Sequence, residues 1–262
     1  MLNIGMDLLT RVADIARRAG ARILTVYETD FDVETKGDAS PVTQADRLAE
    51  ALITEAIRGE ITADHPIVGE EAAEAEGLIQ PEAPVFWLVD PLDGTKEFVK
   101  RNGEFTVNIA LVENGEPVLG VVHLPVLDET FLAAAGLGAF KRTGDGPLVP
   151  ISARVAPAAG VTAVVSRSHG AEEADAFLAR YRVAERIGAG SSLKFCRVAE
   201  GAADIYPRFG RTMEWDTAAG HAVVRFAGGQ VVTTDGRPLT YGKPGLENPH
   251  FIVTGKGIGR DG

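Results

Sequence analysis

The chain holds a single cysteine, Cys196, among its 262 residues. One thiol excludes an intrachain disulfide and fits a reducing cytoplasm. Cys196 lies in Leu193-Lys-Phe-Cys-Arg-Val-Ala199, where no local base stands ready to activate it. That context reads as a packed core thiol, not a nucleophile. Aromatic residues are scarce, at 6%, and no aromatic RNA-binding signature occurs. Positive charge is also in deficit: 26 basic residues face 37 acidic ones, a formal net charge of -11. A general surface for a nucleic acid polymer is thereby excluded, while a local basic pocket for a small anion is not. No apolar run approaches the length of a transmembrane span. The first seven residues lack the charged leader and apolar core of a signal peptide. The expectation is a soluble cytoplasmic protein; nothing in the sequence supports peripheral inner-membrane association, and monomer and homodimer stay equally open.

The chain is long enough to bury a substantial core, as one large domain or two closely packed halves. Leu8, Leu9, Val12, Ile15, Ala16, Ala19, Ile23 and Leu24 recur at helical spacing and predict a long amphipathic helix. An extended segment at 31–35 and a polar loop at 36–41 precede a second helix running from Thr43 to Ile57. Asp46 follows Thr43 by three, the capping-box spacing at which Glu or Gln is usual. It fits a cap, and equally an acid facing inward behind a site.

Segments 105–113 and 117–123 flank Asn114-Gly-Glu116 as a hairpin, and strands at 129–134 and 138–142 continue the antiparallel section. The Pro/Gly-rich interval 144–160 is the best internal boundary and divides 1–150 from 151–262. Beyond it, a strand at 161–166, helices at 172–181 and 190–200, a helix from about Asp216 to Phe226, and strands at 230–234 and 251–254 complete an α/β half.

The segment most charged with chemistry is Asp90-Pro-Leu-Asp-Gly-Thr95. It ends an apolar run at 85–89, and its Pro and Gly predict a tight turn there. Two carboxylates three residues apart are hard ligands suited to Mg²⁺, and a Gly-Thr turn can offer N–H groups to phosphate. Ile67-Val-Gly-Glu-Glu71 and Met213-Glu-Trp-Asp216 likewise deliver acids at the ends of elements. Taken singly, each acid also fits a solvated cap, and Asp216 fits the N-cap of the helix that follows it.

Together, Gly69-Glu-Glu71, Asp90-Pro-Leu-Asp-Gly-Thr95 and Trp215-Asp-Thr-Ala-Ala219 resemble the inositol monophosphatase superfamily of magnesium-dependent, lithium-sensitive phosphomonoesterases. Gly190-Ser-Ser-Leu-Lys-Phe-Cys196, Arg101-Asn-Gly-Glu-Phe-Thr-Val-Asn-Ile109 and Tyr206-Pro-Arg208 resemble its bacterial CysQ branch, the 3'(2'),5'-bisphosphate nucleotidases. The resemblance implies an α/β fold layered α-β-α-β-α. It implies removal of the 3'-phosphate from adenosine 3',5'-bisphosphate, and from 3'-phosphoadenosine 5'-phosphosulfate, within sulfur metabolism.

As metal ligands it implies Glu70, Asp90, the Leu92 carbonyl, Asp93 and Asp216 for two or three Mg²⁺ ions, with Glu71 in reserve. Thr95 would orient the attacking water with Asp46 behind it, while Gly94 and Thr95 N–H groups hold phosphate oxygens. Ser191, Lys194 and Arg208 would contact the nucleotide, with His169 joining from a neighbouring loop; Lys36 fits either a phosphate-facing cation or a solvated lysine. An inositol-1-phosphate or broad sugar-phosphate phosphatase uses the same metals, and a silent nucleotide or metal sensor is the non-enzyme alternative.

Overall fold

The computed structural model describes residues 2–29, 33–35, 41–77, 80–166 and 171–258, and in it the first periodic segment forms α1 (Met6–Tyr27). Leu9, Val12, Ile15 and Ile23 are fully buried along one face of α1. Each such side chain contributes on the order of 1.5–3 kcal/mol. The short antiparallel pair β1 (Val33–Thr35) and β2 (Pro41–Thr43) leads into α2 (Gln44–Ala56). A π-helical turn, Ile57–Ile61, then ends the segment, so the α-helix stops just short of its expected end.

Next comes β3 (Ile67–Gly69), followed by a helix the sequence did not reveal, α3 (Glu70–Glu76). β4 (Val85–Asp93) runs into the short α4 (Thr95–Val99). β5 (Thr106–Glu113), β6 (Glu116–Leu124), β7 (Glu129–Ala134), β8 (Gly138–Thr143) and β9 (Val149–Ile151) then form a meander. Strands β3 to β9 lie in sequence order in one seven-stranded sheet. Only the β3–β4 pairing in it is parallel. Asn114 and Gly115, with φ of 52° and 80°, make the two-residue turn between β5 and β6. Positive φ at both central positions matches the twist of the paired strands.

The remaining chain supplies β10 (Val161–Ser166), α5 (Ala171–Leu178), β11 (Val183–Ala189), α6 (Leu193–Ala199), β12 (Ile205–Arg208), α7 (Ala218–Phe226), β13 (Gln230–Thr233) and β14 (Phe251–Thr254). Its five strands are ordered β11-β10-β12-β14-β13. Helices α1 and α2 cover one face of the large sheet, α7 covers the other, α6 joins α7 to the five-stranded sheet, and α5 lies on β10 and β12. The result is an α/β fold layered α-β-α-β-α.

The middle layer is the core shared by both sheets: Phe131 and Val122 of the large one, Tyr206 and Phe251 of the small one, and Phe195, Cys196 and Val223 between them. Burial pushes the Cys196 thiol well up, as suits a packed residue. Among the described residues no helix is long and apolar enough to cross a membrane.

Candidate active site

The acids of β4 owe their arrangement to an irregularity. Asp90 pairs with Asn108 and Asp93 with Thr106, so three steps along β4 oppose two along β5. Residues three apart on a regular strand face opposite ways. The extra residue restores Asp93 to the face of Asp90. Pro91, which has no N–H to give a ladder, sits inside this bulge. The strand therefore continues to Asp93, and the tight turn expected at Asp90 begins only at Gly94. Gly94, at φ 93° and ψ 43°, takes the left-handed conformation that starts α4. Within the turn, the Leu92 N–H donates to Asp90 Oδ1 at 3.1 Å and Thr95 Oγ1 donates to the Leu92 carbonyl at 3.4 Å.

Glu70 begins α3 beside this turn. The buried Glu50 carboxylate accepts the Glu71 and Ala72 N–H groups at 2.8 and 2.9 Å and so caps α3 from α2. Glu70 lines the same cavity as Asp93, Thr95 and Asp216, whereas Glu71 Oε2 lies 3.8 Å from Arg47 Nε. Asp46, in the first turn of α2, is fully buried.

Asp216 is not an N-cap. That position belongs to Thr217, and Asp216 Oδ2 instead accepts the Met213 N–H at 2.8 Å. Its backbone carbonyl accepts Ser192 Oγ at 2.9 Å, and Ser192 Oγ in turn accepts Asn108 Nδ2 at 3.1 Å. Asn108 Nδ2 and Thr106 Oγ1 each stand 3.5 Å from Asp93 Oδ2. Asn108 of β5 is thus tied through Ser192, which precedes α6, to the Asp216 backbone. Sequence reasoning gave neither a role, although both lie within the motifs that carry the resemblance and Asn108 is the one amide of β5.

Lys194 and Arg208 line the same cavity of about 250 Å³ as the acids. Lys194 is buried, with Nζ donating to the Ser191 carbonyl at 2.6 Å and lying 5.5 Å from the Tyr206 ring centroid. Burial lowers its pKa to about 8; Asp93 opposes that shift and Arg208 adds to it. Ser191 Oγ donates to the Glu104 carbonyl at 2.9 Å. Arg208 Nη2 donates to the Arg211 carbonyl at 3.2 Å, while its Nε is buried with no hydrogen-bond partner among the described residues. Arg211 and Thr212 line this cavity too, and the sequence singled out neither. Lys36 and His169 lie outside the described residues.

Electrostatics binds the acids into one group. Asp90 is held well above the usual carboxylate range, first by burial and then by repulsion from Glu70, Asp93, Asp216 and Asp46. Asp216 is likewise raised, by burial, Asp93 and Glu70, with the Met213 N–H and Arg208 opposing. Asp93 rises through burial, against Lys194 and Ser192. Among the described residues no three acids already converge as a finished metal cage. The donor set nevertheless fits a hard divalent cation: all-oxygen ligands whose mutual repulsion such an ion would relieve.

The model of the inositol monophosphatase family matches residues 6–255. The 3'(2'),5'-bisphosphate nucleotidase CysQ of Escherichia coli K12 is 45% identical over 250 residues, covering 94% of this chain and 99% of that protein. The crystal structure of CysQ from Bacteroides thetaiotaomicron aligns with a TM-score of 0.82 at 40% identity, over 97% of this chain and 99% of that one. An inositol monophosphatase from Anabaena aligns at 0.75 and 28% identity, over 95% and 90% of the two chains.

Proposed function

The chain belongs to the inositol monophosphatase family, and from that premise we propose that it hydrolyses the 3'-phosphate of adenosine 3',5'-bisphosphate to AMP and phosphate. 3'-Phosphoadenosine 5'-phosphosulfate loses the same phosphate. The observation that carries this reading is a single cavity lined by the acids Glu70, Asp93 and Asp216 together with Lys194 and Arg208. It stands in a chain that matches a bisphosphate nucleotidase over nearly its whole length.

The residues present fit two Mg²⁺ ions, with a third assisting, held by Glu70, Asp90, Asp93, Asp216 and the Leu92 carbonyl. Bound there, Mg²⁺ supplies positive charge for the phosphate and the departing oxygen and makes water more acidic. The chain's own groups do the positioning. Gly94 and Thr95 N–H groups hold phosphate oxygens. Thr95 Oγ1 accepts a hydrogen bond from the attacking water and relays the proton that this water releases to Asp46, which stands behind it. As the new O–P bond forms, the bond from phosphorus to the ribose 3'-oxygen breaks, and that oxygen takes a proton from solvent.

The second phosphate gives Lys194 and Arg208 their purpose. The orphaned Arg208 Nε supports a role as anion donor, because a buried N–H without an acceptor is costly until a ligand supplies one. Ser191, Lys194 and His169 complete the nucleotide contacts. Product analysis tests the reading: adenosine 3',5'-bisphosphate with Mg²⁺ should yield 5'-AMP and one phosphate. Recovery of adenosine 3'-monophosphate, or no product at all, would overturn it.

A further inference from the structure

Asp216 stands in an irregular stretch, residues 212–217, which a second loop, residues 240–248 with a 3₁₀ turn at Pro244–Leu246, holds in place. Met213 forms an isolated bridge with Glu247, and the Glu214 N–H donates to the Leu246 carbonyl at 2.8 Å. At the centre is Glu214, fully buried. Its carboxylate accepts the Gly242 N–H at 2.6 Å, the Lys243 N–H at 2.9 Å and Lys243 Nζ at 2.6 Å. Lys243 Nζ also donates to Asn248 Oδ1 at 3.2 Å. The Asn248 amide then reaches the two residues on either side of the acid loop. Its Nδ2 donates to the Met213 carbonyl at 2.7 Å and to Thr217 Oγ1 at 3.0 Å. Met213 passes the restraint on, since its N–H donates to Asp216 Oδ2 at 2.8 Å.

We propose that Glu214, Lys243 and Asn248 are positioning residues that fix the Asp216 carboxylate for metal binding; this rests on the reading of Asp216 as a Mg²⁺ ligand. None of the three lines the active-site cavity, so none acts by touching substrate. A buried ion pair is a poor source of stability compared with apolar packing. Its hydrogen bonds do, however, hold a fixed geometry, and here they converge on the residues flanking Asp216. Partners that orient a metal ligand from behind typically govern affinity or turnover by about 10–100-fold.

Three variants test the proposal. Asn248→Ala deletes the side-chain bonds to Thr212, Met213 and Thr217. Asn248→Asp keeps the shape and the acceptor toward Lys243 but removes the donor facing the Met213 carbonyl. Lys243→Met removes the cation while leaving Glu214 its two N–H partners. A comparator, Lys141→Met, loses ion pairs to Glu129 and Glu200 and leaves residues 212–217 untouched. Mg²⁺ binding is read by calorimetry without substrate, alongside thermal unfolding, kcat and KM.

The proposal predicts Mg²⁺ binding weakened about 10-fold and kcat lowered about 10–100-fold in both Asn248 variants. KM for adenosine 3',5'-bisphosphate should stay within about twofold, because ground-state substrate contacts are intact. Lys243→Met moves in the same direction by less. Lys141→Met lowers the unfolding temperature and leaves Mg²⁺ binding unchanged. A folded Asn248 variant with wild-type Mg²⁺ affinity and kcat overturns the proposal, as does failure of all three variants to fold, which would make the cluster a folding element. Because calorimetry needs no substrate, a wrong substrate assignment leaves the test intact. A wild type that binds no Mg²⁺ overturns the metal reading and the proposal with it.

Discussion

Buried carboxylates ordinarily find cations; Asp90 finds Glu70, Asp93, Asp216 and Asp46 instead. In the absence of a cation that grouping opposes stability, because desolvation and repulsion both disfavour the charged forms. Asp93→Asn and Asp216→Asn should therefore reduce phosphate release by about 100-fold or more, the scale of losing a group that stabilises transition-state charge. Their unfolding temperatures without Mg²⁺ should match or exceed that of the wild type. Turnover and thermal unfolding measured side by side check both halves; near-normal turnover in both folded variants would remove these acids from the site.

At this scale Asp90, Asp93 and Asp216 were legible because their spacing and neighbours carry chemistry locally. Asn108 and Ser192 were not. Their bond spans 84 residues of sequence, and neither side chain announces a partner. Lys194 was legible as a cation, yet its burial and its bond to the Ser191 carbonyl emerge only from the packing of α6 against β12.

Elements set these residues by a few backbone departures. The bulge in β4 puts Asp90 and Asp93 on one face, Gly94 turns the chain into α4, and α7 delivers Asp216 from the other side. Helix α7 approaches β6 closely because Gly120 has no side chain: a Cβ there would stand 2.5 Å from the Ala219 carbonyl oxygen and 2.7 Å from the Ala222 Cβ. Gly120→Ala should thus force α7 away from the large sheet, costing about 1–3 kcal/mol as overpacked cores do. Since α7 begins beside Asp216, kcat should fall as well. Urea unfolding together with steady-state kinetics reads both, and unchanged values would contradict this account of the contact.

Long periodic elements such as α1 and paired strands such as β5 and β6 could be read in advance because their apolar patterns repeat. β11 could not: it is an edge strand with Glu185 and Arg186 exposed, so no alternation marks it. The acid-rich α3 likewise has little apolar period and is capped by Glu50 from another helix.

For the whole molecule, the decisive arrangement is two sheets sharing α6 and α7, with the cavity opening where the ends of both sheets meet. We retain the division into 1–150 and 151–262 as a proposal about packing, with metal acids chiefly from the first part and nucleotide contacts chiefly from the second. The layered architecture was readable from family-like motifs, whereas the convergence of three distant acidic segments needed the fold.

The central claim is that the acids cleave one phosphate while Lys194 and Arg208 hold another. Remote binding energy of that kind raises kcat/KM for the bisphosphate specifically. The most direct measurement is kcat/KM for adenosine 3',5'-bisphosphate, inositol-1-phosphate and 5'-AMP at one Mg²⁺ concentration, in wild type and Lys194→Ala. The account predicts a clear wild-type preference for the bisphosphate and a larger loss on that substrate in the variant. Faster wild-type turnover of inositol-1-phosphate, or equal losses on all three substrates, would contradict it.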